Sequence, residues 1–157
     1  MATIATSLRQ YLDDRKVKYE TLHHRRDYTA QEAAADTGTP GREFAKVVMI
    51  KTDKRYLMAV LPAHHRVNMA KLKAALGADD LRLATEDEIA RICPDCSVGA
   101  EHPFGNLYEI PVYVSKDLTA DEWITFNAGT HEDVVRMRYD DYQRLVQPKV
   151  VDFSIRP

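Results

Sequence analysis

Phe44-Ala-Lys-Val-Val-Met-Ile50, then Lys51-Thr-Asp-Lys54, then Tyr56-Leu-Met-Ala-Val-Leu61 is the stretch whose reading decides the fold. Two short apolar runs bounded by polar residues read as strands, and the polar link between them reads as a hairpin connection. Upstream, Val17 to Leu22 reads as a third strand. Ile4, Leu8, Tyr11 and Leu12 fall on one face of a helix over 4–15. Thr29-Ala-Gln-Glu32 is a capping box: the Thr hydroxyl and Glu carboxylate satisfy the first free amides of a helix over 30–37. Gly38 and Pro40-Gly41 stop it.

Downstream, Asn68 to Leu76 reads as a helix closed by Gly77. Leu81 to Ala84 is a brief strand, and Thr85-Glu-Asp-Glu88 is a second capping box opening a helix to Ile92. Residues 93–107, CPDCSVGAEHPFGNL, form a loop rich in Pro and Gly, of a length that usually carries function. Strands at Ile110–Val114, Trp123–Asn127 and Val134–Arg138 and a helix over Asp140–Leu145 follow, and an apolar tail runs on from Pro148. Strands and helices are mixed without regular βαβ alternation. That predicts an α+β fold, a mixed, largely antiparallel sheet with helices around it.

The 157 residues fit one domain spanning 1–157 with one core, and 45% hydrophobic content suits a packed globular interior. No run approaches the roughly 18 apolar residues of a membrane span, and the first residues lack the apolar core of a secretory signal. Only two cysteines occur, Cys93 and Cys96, and these points together predict a cytoplasmic protein. Net charge is −2, but residues 42–73 carry +6 and residues 79–142 carry −10. Such blocks serve as solvated faces or steer a phosphate-bearing ligand.

The common catalytic signatures (HExxH, Walker A, GxGxxG, GxSxG) do not occur. Cys93-Pro-Asp-Cys96 has the spacing of half a zinc site, yet no second pair completes a tetrahedral set, so neither metal nor functional disulfide is expected. Lys46 stands alone in an apolar strand, on one face with Phe44, Val48 and Ile50. A lysine snorkelling at a sheet edge and a ligand-binding lysine both fit. Gly99-Ala-Glu-His-Pro103-Phe-Gly105 reads either as a plain surface turn or as one that lets a ligand approach the backbone closely, and Gly129-Thr-His131, between two strands, reads as a turn with a stray histidine.

These pieces in this order resemble the YbaK/EbsC family, which includes the editing domain inserted in bacterial prolyl-tRNA synthetases. The resemblance rests on Lys46 in Phe-Ala-Lys-Val-Val, the Gly99-x-x-x-Pro103 loop and Ala128-Gly129. Tyr28-Thr-Ala-Gln-Glu32, Val60-Leu-Pro62 with Arg66-Val67, and Pro111-Val-Tyr-Val114 support it, so it runs from about Leu8 to Val146. It implies a curved mixed sheet with a cleft, no cofactor or metal, and hydrolysis of the ester on a mischarged tRNA that carries a small amino acid. Lys46, Gly99 and Pro103 are then the candidate catalytic residues, and Tyr28, Phe104, Gly129 and His131 the candidate substrate-binding ones. The partner is the acceptor end of aminoacyl-tRNA, with a synthetase as a possible second. A non-catalytic nucleotide or aminoacyl-tRNA binding module, or a hydrolase of another small aminoacyl ester, are the competing readings. The sequence departs from the family pattern at Val47, where some alanine-editing members have Asn, at His102, and at Ser115, where relatives often have Asp. The resemblance further implies that Lys46, the Gly99–Pro103 loop and Gly129 converge on one small pocket without a Ser–His or Cys–His pair.

Overall fold

A computed structural model describes residues 5–156. Ile4, expected on the first helix, lies outside the described residues. The elements in order are α1 (Thr6–Asp14), β1 (Tyr19–His23), α2 (Ala30–Asp36), β2 (Phe44–Thr52), β3 (Tyr56–Pro62) and β4 (Arg66–Val67). There follow α3 (Met69–Leu76), β5 (Leu81–Leu83), α4 (Glu86–Ile92), β6 (Val112–Ser115), β7 (Trp123–Asn127) and β8 (Asp133–Arg138). The chain ends with α5 (Tyr139–Val146), β9 (Lys149–Val151) and β10 (Ser154–Ile155).

The local signals explain the helices. Both capping boxes form: Thr29 accepts from the Glu32 amide, Thr85 accepts from the Glu88 amide, and each Glu reaches back to its cap. Asn68 caps α3, and Gly77 ends it in the left-handed conformation at φ 64°. Glu88 is held further by Arg82, whose guanidinium donates to both carboxylate oxygens at 2.8 and 2.9 Å.

The main sheet runs β1-β8-β7-β2-β3-β6-β9, with β5 also on β2; β4 and β10 form a separate two-stranded ribbon. Four pairings are antiparallel (β1–β8, β7–β8, β2–β3, β2–β5) and three are parallel (β2–β7, β3–β6, β6–β9). Strand alternation splits the core. Ala45 and Met49 of β2 and Met58 and Val60 of β3 face α1 and α5 through Leu8, Leu12 and Tyr142. Ile50, Leu57 and Leu61 face α3 and Phe153, and Phe44 faces α2 through Ala33 and Ala34. Thus α2 and α3 lie on one face of the sheet and α1 and α5 on the other. Two features differ from the expectation. The tail beyond Pro148 is not a plain apolar run but adds β9 and β10, and Arg66–Val67 pairs with β10. Strands of two or three residues are too short to show a period.

Candidate functional site

Lys46 pairs through its main chain with Leu61, and its side chain is half-buried on the α2–α3 face. Burial lowers its pKa and nearby Arg66 lowers it further. Among the described residues no carboxylate lies within 4.0 Å of its ammonium. A cation drawn partly out of water without a counter-charge favours an anion beside it.

The edge of β2 next to Lys46 is open. The Phe44 carbonyl accepts from Ala63 on the β3 side, whereas the Glu43 and Met49 carbonyls accept from Thr125 and Ala84 on the other side. Odd-numbered residues of β2 therefore aim their main-chain groups away from β3. Along that edge β7 pairs with Phe44 and Ala45, and β5 pairs with Ile50 to Thr52. Val47 falls between the two, so among the described residues its amide and carbonyl have no strand opposite. The result is a gap in the sheet bordered by the lysine strand and by the end of β7, where main-chain donors and acceptors stand ready.

The end of β7 carries the next pieces. Phe126 pairs with Ala45, and three residues later the chain turns at Gly129, about 10 Å along the strand. Gly129 has φ +98°, and a Cβ there would stand 2.8 Å from Ala5 Cβ. The Gly129 amide donates to the Ala100 carbonyl at 3.0 Å, and its carbonyl accepts from Ser97 at 2.8 Å, which ties the Gly99–Pro103 loop to the turn. His131 Nε2 meets the Val98 carbonyl at 3.0 Å. Gly99 has φ +91°, and a Cβ on it would come within 3.3 Å of His131 Cε1. The Tyr28 ring packs 5.6 Å from the His131 ring and is 69% exposed. Tyr28, Gly99, Gly129 and His131 therefore form one cluster, beside the strand that carries Lys46.

Pro103 and Phe104 take the loop in the opposite direction. The Pro103 carbonyl accepts from the Tyr142 hydroxyl at 2.7 Å. Phe104 is wholly buried among Tyr11, Phe126 and Tyr142, in the core on the α1–α5 face. That packing makes Phe104 an anchor of the loop and gives its ring no route to a substrate. The correction has a simple cause: an aromatic residue in a loop reads the same in sequence whether it faces the cleft or the core.

His102, which the sequence could not place, is the second anchor. It is fully buried, and its Nδ1 accepts from the Phe104 amide at 3.3 Å, which leaves the proton on Nε2. Nε2 donates to the Tyr108 hydroxyl at 2.8 Å, Tyr108 donates to Asp95 Oδ1 at 2.6 Å, and Asp95 also accepts from Ser7. Burial lowers the His102 pKa to about 4, so the imidazole is neutral at physiological pH. Asp95, Cys96 and His102 have the chemistry of metal ligands, with donor atoms within 4.8 Å of one another. The Tyr108 hydroxyl occupies the space among them and gives each a polar neighbour, with Cys96 Sγ at 3.5 Å. Burial raises the Cys96 thiol to about 11 and pushes Cys93 up as well, which disfavours thiolate for either ligation or exchange.

On the Lys46 side, a cavity of about 410 Å³ is lined by Arg42, Pro62, His65, Asp117, Ser154 and Arg156. It contains the Ser–His contact that was not expected near the site: His65 Nδ1 lies 2.9 Å from Ser154 Oγ. Ser154 donates to Asp117 at 3.0 Å and lies 2.8 Å from Ser115 Oγ. Since His65 meets both Ser154 and Asp117 with the same nitrogen, this is not the relay in which a histidine bridges nucleophile and acid through its two nitrogens.

Residues 24–145 match the model of the aminoacyl-tRNA editing domain. Over 64 residues the chain is 42% identical to the proline–tRNA ligase of Staphylococcus aureus (strain Newman), a match covering 41% of this chain and 11% of the ligase. A crystal structure of a candidate trans-editing enzyme for prolyl tRNA synthetase superposes with TM-score 0.87 at 20% identity, over 99% of both chains. A candidate signal transduction protein from Marinobacter aquaeolei VT8 superposes with TM-score 0.74 at 18% identity, over 98% of this chain and 31% of that one. The two structures show a shared fold, and the family-model match over residues 24–145, a range that takes in the Lys46 strand, the Gly99–Pro103 loop and the Gly129 turn, places this chain in the aminoacyl-tRNA editing domain family.

Proposed function

We propose that this protein is a trans-editing deacylase: it hydrolyses the ester between a small, wrongly attached amino acid and the 3′ end of its tRNA. The observation that carries this is Lys46, a half-buried cation that among the described residues has no carboxylate within 4.0 Å and no strand opposite the neighbouring Val47 edge of β2. The whole of residues 1–157 acts as one editing unit, in the cytoplasm, on the acceptor end of aminoacyl-tRNA.

Lys46 draws in the anionic end of the substrate, its terminal phosphate. Main-chain groups at Val47 and around Gly99–Pro103 hold the aminoacyl part. The ester is already activated, and the neighbouring ribose hydroxyl orients the attacking water, so positioning and charge stabilisation suffice. The protein supplies no covalent nucleophile in this scheme: the thiols are held protonated, and the Ser154 hydroxyl donates its hydrogen bond to Asp117. His131 and Tyr28 border the space for the amino-acid side chain and select by size.

The test is a deacylation screen across tRNAs mischarged with alanine, serine, cysteine and larger amino acids, with Lys46→Ala as control. Turnover confined to small side chains and lost with Lys46 supports the reading. Tight tRNA binding without turnover of any ester would instead identify a binding module, and turnover of small aminoacyl esters without any preference for tRNA a general esterase.

A further inference from the structure

Next to the Tyr28–His131 contact lies a group of chemistry-bearing side chains that the reaction does not use. His24, Asp27 and Asp36 each bring one donor atom, a ring nitrogen or a carboxylate oxygen, to within 4.8 Å of the other two. His24 follows β1, Asp27 precedes the Thr29 cap of α2, and Asp36 is the last residue of α2, so the segment 24–36 folds back on its own start. Main-chain bonds hold its first residues in place: the His24 amide donates to the Glu132 carbonyl at 2.8 Å, and the Asp27 amide to the His131 carbonyl at 3.1 Å.

Burial and unmet hydrogen bonds set this group apart from a surface cluster of acids. The side chains of His24 and Asp27 are only 5% and 3% exposed. Asp27 Oδ2 stands 3.0 Å from His24 Nδ1, yet among the described residues it accepts no hydrogen bond. The Nδ1 proton goes instead to the Arg25 carbonyl at 2.6 Å, which leaves the lone pair of the neutral ring on Nε2. Nε2 is buried too and has no partner among the described residues. A metal-binding histidine is oriented in this way, one nitrogen donating to a carbonyl and the other left free for the ion. In the Asp95–Cys96–His102 group the Tyr108 hydroxyl meets the polar atoms; here two buried acceptors stand without a donor, a costly arrangement. The cation at hand is Arg25, whose Nε lies 2.6 Å from Asp36 Oδ2 and 3.5 Å from Asp27 Oδ1. Its side chain is 75% exposed, so it reaches in from solvent and can withdraw the same way.

We propose that His24, Asp27 and Asp36 hold a divalent transition-metal ion of the zinc class. One imidazole and two carboxylates suit such an ion, whereas magnesium and calcium take oxygen ligands. Ligands of one zinc ion stand at most about 4.2 Å apart, at bond lengths near 2.1 Å. A small inward shift of the exposed Asp36 and withdrawal of Arg25 therefore complete three protein contacts, with water in the fourth position. The ion is structural: it fastens the residues that lead into Tyr28 to the end of α2 and takes no part in ester hydrolysis. The site does not depend on the editing reading.

Zinc chloride is titrated by calorimetry into the full chain after treatment with a chelator. The wild type binds one ion per chain and melts at a higher temperature in its presence. Asp27→Asn and His24→Gln each weaken binding at least about tenfold, the loss that removal of an outer-shell partner already brings. Asp36→Asn does the same from the exposed end of α2, which keeps the test readable if either buried substitution unfolds the chain. Arg25→Gln tightens binding about two- to fivefold, because it removes an exposed ion pair that competes with the ion. Cobalt bound in place of zinc shows no thiolate charge-transfer band, which separates this site from Cys96. No binding heat and no rise in melting temperature with the wild type would overturn the site. So would wild-type affinity in Asp36→Asn, weaker binding by Arg25→Gln, or a thiolate band in the cobalt spectrum.

Discussion

In the proposed reading Lys46 carries the chemistry, because its position is costly for a cation and among the described residues no carboxylate lies within 4.0 Å of its ammonium. Replacing it with alanine removes a charge-assisted contact of about 1.5–3 kcal/mol, so deacylation should fall about ten- to a hundredfold, with melting little changed. Single-turnover rates on the preferred mischarged tRNA check this, and a loss below tenfold would remove Lys46 from the mechanism. Gly99 is constrained differently. Its φ of +91° strains any residue with a side chain, and a Cβ would stand 3.3 Å from His131 Cε1, close enough to push the ring aside. Gly99→Ala should cost about 1–2 kcal/mol in urea unfolding and displace His131. On the proposed reading His131→Ala itself should widen substrate choice more than it lowers rate, since its ring packs between Tyr28 and Gly99. Equal discrimination between alanyl and larger esters before and after the change would exclude that role. Lys46, Gly99 and the Gly129 turn were identifiable from their order along the chain. Their mutual placement depends on β7 lying parallel to β2, a pairing between residues about 80 apart in sequence.

Elements turn these residues into a site by gripping the loop from behind. The Gly99–Pro103 loop leaves Gly99 exposed beside His131 and buries His102 and Phe104. The neutral His102 makes this grip sensitive to acid. Its folded pKa is about 4 against an ordinary 6.5, so between those values the unfolded chain takes up a proton that the folded one refuses. Stability is therefore lost as pH falls from 6.5 to 4, at up to about 1.4 kcal/mol per pH unit from this residue. His102→Gln should flatten that part of the curve of stability against pH, at the expense of a lower stability at pH 7. Asp95, Cys96 and Tyr108 face the imidazole and remain in the variant. Guanidinium unfolding at several pH values measures it, and an unchanged slope would show that His102 is not the titrating group. The sequence contained His102, Tyr108 and Asp95 in plain view but gave no sign of their connection, since a hydrogen-bond chain through a buried hydroxyl leaves no periodic trace.

At the scale of the molecule, the tail closes what the body begins. Phe153 is wholly buried against Leu72 and Tyr113 on the Lys46 face, and its carbonyl accepts from the Asn68 amide at 2.7 Å. Phe153→Ala should cost about 3–5 kcal/mol, enough to loosen the β4–β10 ribbon; a melting curve like wild type's would show the tail to be dispensable. By itself the sequence determined the local units: two capping boxes, the Gly77 stop, the hairpin of β2 and β3, and a lysine conspicuous in an apolar run. It also carried the ordered motifs that mark the family. These are short-range facts, set by helix period, strand alternation and the demands of a few amides. Only the tertiary structure decided that β5 and β7 share one edge of β2 and leave Val47 open, that Phe104 turns inward, and that Arg156 comes to lie across from His65. Alternation assigns a side chain to a face but names no neighbouring strand, and a strand of two residues is held by its partner and not by its own pattern.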